Sequence, residues 1–234
     1  MHDHMAQRTT QHAEGAAKSS LLKLAAATAL YAVVHSALAS RQAKALATRL
    51  LGERSRNAFY RPFYLAQSVV ALGALYAYAR RLPDRTLYDI KGPVGAAMHA
   101  GRAGAILYAV WSANQVGISD MLGITSWRAW RAGADIIPPE PEAQGPAADG
   151  ANMKATGPFV ASRHPLNLAP LPVFWLAPRM TRNLLVFNLV STAYLVVGSM
   201  HEEARLKAAY GDRYTAYQHS GVRFYVPGVE RRAA

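Results

Sequence analysis

Apolar residues in this chain are gathered into runs long enough to span a bilayer, and that gathering limits the folds open to it. The runs cover residues 20–39, 59–79, 94–116 and 183–200, each close to the ~20 residues a helix needs to cross about 30 Å of hydrocarbon. In such a solvent every backbone N–H and C=O must be satisfied internally, so the expected class is all-α. A shorter run from Leu166 to Ala177 holds Pro170 and Pro172, with Pro178 just beyond. Proline removes helical donors, and the run is too short to cross straight, so it must tilt, bend or re-enter against the run that follows. The expectation is an integral membrane helical bundle of about five segments, closed by a cytoplasmic C-terminal helical cap.

Charge and cysteine usage narrow the function classes. The chain has no cysteine, which excludes a disulfide framework, a thiolate nucleophile and cysteine-based metal sites; no metal site is expected. Its net charge of +12 would suit nucleic acid, but the Lys and Arg residues sit in short connections flanking apolar runs, where membrane proteins carry them. No nucleic-acid partner is therefore expected. Sixteen of these cations, among them Arg41, Arg61, Arg128, Arg163 and Arg213, fall on one set of connections against nine on the other. That bias predicts a bacterial inner-membrane protein with its N-terminus outside and its C-terminus in the cytoplasm. Residues 1–17, with His2, His4 and His12, read as a polar, disordered leader. Residues 18–234 read as one membrane domain. The stretch 136–150 is rich in Pro, Ala, Gly and Glu and reads as a mobile cytoplasmic loop.

The chemistry is concentrated in residues 157–227. The segment begins Gly157-Pro158-Phe159, reaches Arg163-His164-Pro165, and after a mostly apolar stretch continues with Glu202-Glu203, Leu206, Gly211, Tyr214 and Tyr217 before closing on Val226-Pro227. Proline at 165 biases His164 away from helical backbone, so the chain turns there and two donor side chains can project together. Guanidinium and imidazole suit a carboxylate or phosphate; on their own they also suit a cationic membrane flank. Adjacent carboxylates at the end of a buried helix are costly unless cations or hydroxyls meet them. Ordinary helical pairing of Glu202 with Arg205 and of Glu203 with Lys207 accounts for part of that need. Tyr210, Tyr214 and Tyr217 have the spacing of an interfacial aromatic belt as well.

Taken together, the two blocks resemble the C-terminal half of the isoprenylcysteine carboxyl methyltransferase superfamily. Its pattern is Gly-x-Tyr, then Arg-His-Pro-x-Tyr-x-Gly, a hydrophobic hairpin, and Glu-Glu-x2-Leu followed by Gly-x2-Tyr-x2-Tyr and a terminal Val-Pro. Gly157, Arg163, His164, Pro165, Glu202, Glu203, Leu206, Gly211, Tyr214, Tyr217, Val222 and Pro227 occupy the matching places, with a small shift at the end. The N-terminal half adds His35-Ser36 through Ser40-Arg41, similar to the related NnrU and methanethiol S-methyltransferase-like membrane proteins. Asp120-Met121-Leu122-Gly123 resembles their Asp-Leu-Phe-Gly.

The resemblance implies an S-adenosylmethionine-dependent methyltransferase whose cofactor site is built on residues 157–227. In it Gly157, Phe159, Arg163, His164, Pro165, Glu202 and Glu203 would bind the cofactor. Arg163 and His164 would hold the methionine carboxylate, and Glu202 or Glu203 would accept from ribose or the amino group. His201 and Arg205 would act on the acceptor side as catalytic positions, with Asn167 binding the acceptor. The implied acceptor is a small or membrane-dissolved thiol or carboxylate, small-molecule or lipid-like, arriving from the bilayer or through a tunnel between helices. The chain departs from the pattern at Asn167 for Tyr, Ala169 for Gly, Phe159 for Tyr, and at His201, near where an Arg often precedes the acidic pair. Those departures keep open a second reading, a non-catalytic NnrU-like membrane protein with an assembly, transport or haem-related role. Axial haem ligation by His35 and His99 is disfavoured, since at 1.5 Å per residue their depths differ by roughly 15 Å.

Overall fold

The computed structural model describes residues 2–136, 146, 148–149 and 152–225. Val226 and Pro227, which close the motif, and nearly all of the loop 137–151 lie outside the described residues. In chain order the elements are α1 (His2–Ala39), α2 (Arg41–Leu51), α3 (Glu53–Ala79), β1 (Thr86–Asp89), α4 (Gly92–Val116), α5 (Ile118–Met121), α6 (Ile124–Arg131), β2 (Ala148–Asp149) and β3 (Asn152–Met153). A 3-10 turn (Gly157–Val160), α7 (Pro165–Leu168), α8 (Pro170–Trp175), β4 (Arg179–Thr181), α9 (Arg182–Tyr210) and α10 (Asp212–Gln218) follow. The fold is predominantly helical, as the apolar runs require.

Two helical stretches, Lys18–Ala39 of α1 and Arg182–Tyr210 of α9, are long and apolar enough to cross a membrane, and they pack along each other. Only 11% of each apolar window is buried, whereas the central helix of a water-soluble core is covered on most sides. Leu22, Leu30 and Val33 on α1, Val69 and Val70 on α3, Ile106 and Leu107 on α4, and Leu189 on α9 all point outward. An apolar surface that continuous marks membrane association. The helix α1 is assigned back to His2 and so takes in the polar residues read as a leader.

The stretch expected as a fourth membrane segment is broken into the four-residue α7 and the six-residue α8. Its prolines explain the break, and neighbouring side chains answer the carbonyls it frees. Pro178 has no N–H to give the Phe174 carbonyl, which instead accepts from Asn188 Nδ2 of α9 at 2.8 Å; Arg102 Nε of α4 donates to the Val173 carbonyl at 3.1 Å. Arg102 thus ties α4 to α8.

The strands are a difference from the all-helical expectation. β1 pairs antiparallel with β4, Tyr88 opposite Met180 and Asp89 opposite Arg179. This ribbon ties the α3–α4 connection to the start of α9 at the end of the helices away from the acidic pair. Asp84 completes the tie by accepting from Asn183 N at 3.0 Å, while Thr181 Oγ1 accepts from Leu184 N as the N-cap of α9. A second ribbon, β2 with β3, precedes the 3-10 turn.

At the other end, α5 and α6 close over the start of α3. Gly123 has φ +72, and a Cβ there would lie 2.6 Å from Pro62 Cδ. Close approach of the loop to α3 therefore requires glycine, and Arg61 Nε fixes it by donating to the Met121 carbonyl at 2.7 Å. The Asp120–Gly123 segment is a structural clamp on α3. Leu206 of α9, Tyr214 and Tyr217 of α10, and Val222 form a small buried core. Both rings are buried, so Tyr214 and Tyr217 are core residues and not part of an interfacial belt, and that burial pushes their hydroxyls above the ordinary phenol range.

Candidate active site

His164 is held outside the helix that Pro165 begins, at φ −127 and ψ 58, as the residue before a proline should be. The chain beyond α10 returns alongside it: Arg163 N donates to the Arg223 carbonyl at 2.8 Å, and Ser162 Oγ donates to the Phe224 carbonyl at 3.2 Å. Phe224 then lays its ring against His164, centroids 4.7 Å apart, and under the Arg163 guanidinium. This return strand presses both cationic side chains toward α9.

There they meet the acidic pair. Arg163 Nε donates to Glu203 Oε1 at 2.7 Å and Nη1 to the Val222 carbonyl at 2.6 Å. His164 Nδ1 lies 3.2 Å from Glu202 Oε2, and its Nε2 lies 3.2 Å from Glu203 Oε1. Gln218 Nε2 donates to the other oxygen of Glu203 at 2.9 Å, and Asn167 Nδ2 donates to Glu202 Oε2 at 3.1 Å and to Ser199 Oγ at 2.8 Å. An ionised carboxylate only accepts, so two carboxylates on two ring nitrogens require both nitrogens to carry hydrogen. His164 is therefore an imidazolium, 2% exposed. Burial works against its charge, but the hydrogen bonds and charges of Glu202 and Glu203 outweigh it and raise its pKa above the ordinary imidazole value.

The sign of the pH dependence follows. A raised folded-state pKa stabilises the protein fully below the unfolded value of about 6.5, and that contribution is lost as pH rises through the folded-state pKa. Thermal stability in detergent is expected to decline through that window, and His164→Gln should remove the decline. An unchanged slope in the variant would show that another group carries it.

The cluster is electrically balanced, two carboxylates against one guanidinium and one imidazolium, and it forms one wall of a cavity. The cavity has a volume of about 230 Å³ and lies between α1, α3, the α5–α6 clamp and α9. Glu202 and Asn167 face it from the cluster, and His201, Gly198, Tyr194 and Arg205 face it along α9. The opposite wall is His35, Arg56, Tyr60, Arg61, Tyr64 and Asp120. Arg205 Nε is buried and, among the described residues, has no hydrogen-bond partner, so the cavity presents a cation to any anionic group that enters.

The structure thus brings Arg163, His164, Asn167, Glu202 and Glu203 into one cluster and puts His201 and Arg205 on the adjoining cavity. Gly157, Phe159 and Pro165 frame the cluster from behind. Gly157 has φ +55 and packs against Gln115, which a Cβ would meet at 3.0 Å; Phe159 is buried with its carbonyl accepting from Tyr217 Oη at 2.6 Å; Pro165 is buried at the start of α7. Arg163 and His164, expected to face a ligand carboxylate, bond to the protein's own acids, and Arg163 also bonds to the Val222 carbonyl. On the N-terminal wall Tyr64 carries no expectation from sequence, and His35 enters only in a family likeness and as a disfavoured haem ligand, because its partners lie on another helix. His35 bonds Ser68 Oγ and Tyr64 Oη with its two ring nitrogens, while His99 is exposed, so the two histidines share no site.

A predominantly helical, membrane-associated chain with a paired acidic and cationic cluster at one end of its bundle is the class these features define. Within that class the chain is similar to proteins named methanethiol S-methyltransferase, which belong to the isoprenylcysteine carboxyl methyltransferase-like family. It is 27% identical over 197 residues to the "Methanethiol S-methyltransferase" of Mycobacterium tuberculosis, covering 81% of this chain and 71% of that protein. It is 39% identical over 69 residues to the protein of that name from Pseudomonas deceptionensis, covering 30% of this chain. It is 45% identical over 56 residues to "Methanethiol S-methyltransferase 2" of Bradyrhizobium diazoefficiens, covering 24% of this chain. The matched segments span only 26% and 22% of the Pseudomonas and Bradyrhizobium proteins. No family model and no solved structure matches the chain.

Proposed function

We propose that this protein is an integral membrane methyltransferase that uses S-adenosylmethionine, with a small or membrane-dissolved thiol as its first acceptor class and a carboxylate as its second. The observation that carries the reading is the position of Glu202, held by the cationic cluster on one side and facing the cavity on the other. The donor set fits the cofactor's chemistry. A sulfonium and an ammonium need a carboxylate, which Glu202 supplies, and the buried Arg205 Nε suits an anionic sulfur or oxygen. At about 230 Å³ the cavity is below the usual 300–1,000 Å³ of sites for drug-sized ligands. It suits a compact acceptor and the methyl-bearing end of the donor.

When bound, S-adenosylmethionine supplies a methyl group on a positive sulfur. The protein's part is positioning, which in a two-substrate displacement is worth several kcal/mol. Arg163 and His164 hold Glu203 and Glu202 in place. Glu202 draws positive charge to the cavity wall, Asn167 fixes the orientation of that carboxylate, and Arg205 with His201 orients the acceptor. The cationic connections favour the C-terminus on the cytoplasmic side, which a reporter fusion at Ala234 reads directly.

The test is calorimetric titration of the detergent-solubilised protein with S-adenosylmethionine. It is followed by methyl transfer from labelled donor to methanethiol, prenylcysteine analogues and lipids. Saturable donor binding with transfer to a thiol is the expected result. A folded protein that takes up no donor would overturn the reading, and one that binds donor and methylates nothing would favour the non-catalytic NnrU-like role.

A further inference from the structure

The cavity wall opposite Glu202 carries a hydrogen-bond chain whose direction can be worked out from its members. Ser68 Oγ lies 2.8 Å from the Tyr64 carbonyl, which only accepts, so the single hydroxyl proton of Ser68 points there. Gln67 Nε2 donates to Ser68 Oγ at 2.9 Å. The contact between Ser68 Oγ and His35 Nδ1, 2.8 Å, must then be made by an N–H on the ring. That fixes neutral His35 as the Nδ1–H tautomer and leaves a lone pair on Nε2. Tyr64 Oη is 2.5 Å from Nε2 and donates to it. The oxygen of Tyr64 therefore has its proton committed to His35 and its lone pairs available to whatever occupies the cavity it lines.

We infer that Tyr64 and His35 form a proton-accepting relay for the methyl acceptor, an inference that rests on the thiol methyltransferase reading above. As the acceptor S–H is deprotonated, its proton passes to Tyr64 Oη while the Tyr64 proton passes to His35 Nε2, giving an imidazolium held by Ser68. The thiol sulfur forms its bond to the methyl carbon as that carbon's bond to the donor sulfur breaks, the electron pair leaving on the donor sulfur. The proton is afterwards released from His35 to water. Charge is conserved: the donor's positive charge ends as the proton on His35. Arg205 faces Tyr64 across the cavity and stabilises the developing thiolate. The other titratable groups on this cavity or beside His35 are Tyr31 on α1, Lys44 on α2, Arg56, Tyr60 and Arg61 on α3, Asp120 on α5, and Tyr194, His201 and Glu202 on α9.

Tyr64→Phe removes the relay's first oxygen and leaves the ring. With methanethiol, an acceptor that is protonated at neutral pH, the variant is expected to lose about 100-fold in kcat, the usual scale of general base catalysis. Donor affinity should stay within about threefold. With 4-nitrothiophenol, already ionised at neutral pH, the loss should shrink to about threefold, because no proton remains to be accepted. A second measurement is independent of turnover: 15N-histidine spectra of the wild type, with His35 assigned by His35→Gln, should show the Nδ1–H tautomer. An equal loss with both thiols, or a proton on Nε2 of neutral His35, would overturn the relay and leave the methyltransferase reading standing. A wild type that binds donor and methylates neither thiol would overturn both.

Discussion

Replacing Arg163 with Met is expected to destabilise the protein more than any other single change in the site. The substitution keeps most of the side-chain volume and removes the charge that faces Glu203 at 2.7 Å together with the donor to the Val222 carbonyl. Breaking a buried ion pair on one side costs about 3–5 kcal/mol, because the remaining charge stays buried without its partner. With side chains 16% and 17% exposed, and with His164 and Gln218 still bonded to Glu203, the lower half of that range applies. At roughly 2–4 °C per kcal/mol for a chain of this size, the thermal transition in detergent should drop by about 10 °C. Adding Glu203→Leu removes the stranded charge and should recover part of the loss. A double variant less stable than Arg163→Met alone would mean that Glu203 is needed for something other than this pair.

The second large effect separates donor binding from acceptor positioning among the residues that α9 turns toward the cavity. Glu202→Gln keeps the shape and the Asn167 contact but removes the negative charge that faces the cavity. Donor affinity should fall by about 1.5–3 kcal/mol, the usual worth of a charged hydrogen bond, or roughly tenfold to a hundredfold. Arg205→Ala and His201→Ala should instead lower turnover while donor affinity stays within about threefold, which is how lost acceptor positioning reads. Calorimetry with S-adenosylmethionine gives the first quantity and labelled transfer to methanethiol the second. If Arg205→Ala weakens donor binding as much as Glu202→Gln does, Arg205 belongs to the donor site.

Much of the cluster was legible in the sequence because its members carry unusual costs. An acidic pair at the end of an apolar helix needs cations beyond Arg205 and Lys207 of its own helix, and Arg163-His164 before a proline offered them. The spacing did not say that His164 would span both carboxylates, since neighbouring residues on a helix point about 100° apart and only a ring with two donors bridges them. Tyr214 and Tyr217 were ambiguous for a related reason: a 3.6-residue period places residues on one face without saying what that face meets. The β1–β4 ribbon was not legible at all. Its strands are four and three residues long, too short for alternation to register, and they pair across 90 residues of chain. His35, Tyr64 and Ser68 escaped because the relay depends on the relative register of α1 and α3, which packing sets and composition does not.

The cavity is shared between two stretches of chain that meet only in the folded state. One wall comes from α1 to α6 and the other from α7 and α9, and Glu202 faces the space they enclose. In descent this separates two kinds of change. Substitutions along α1 and α3 can reshape the acceptor side while the carboxylates stay held by Arg163 and His164. A lineage built this way can acquire a new acceptor without relearning its donor, and exchanging α1 to α3 between relatives is the corresponding route in the laboratory.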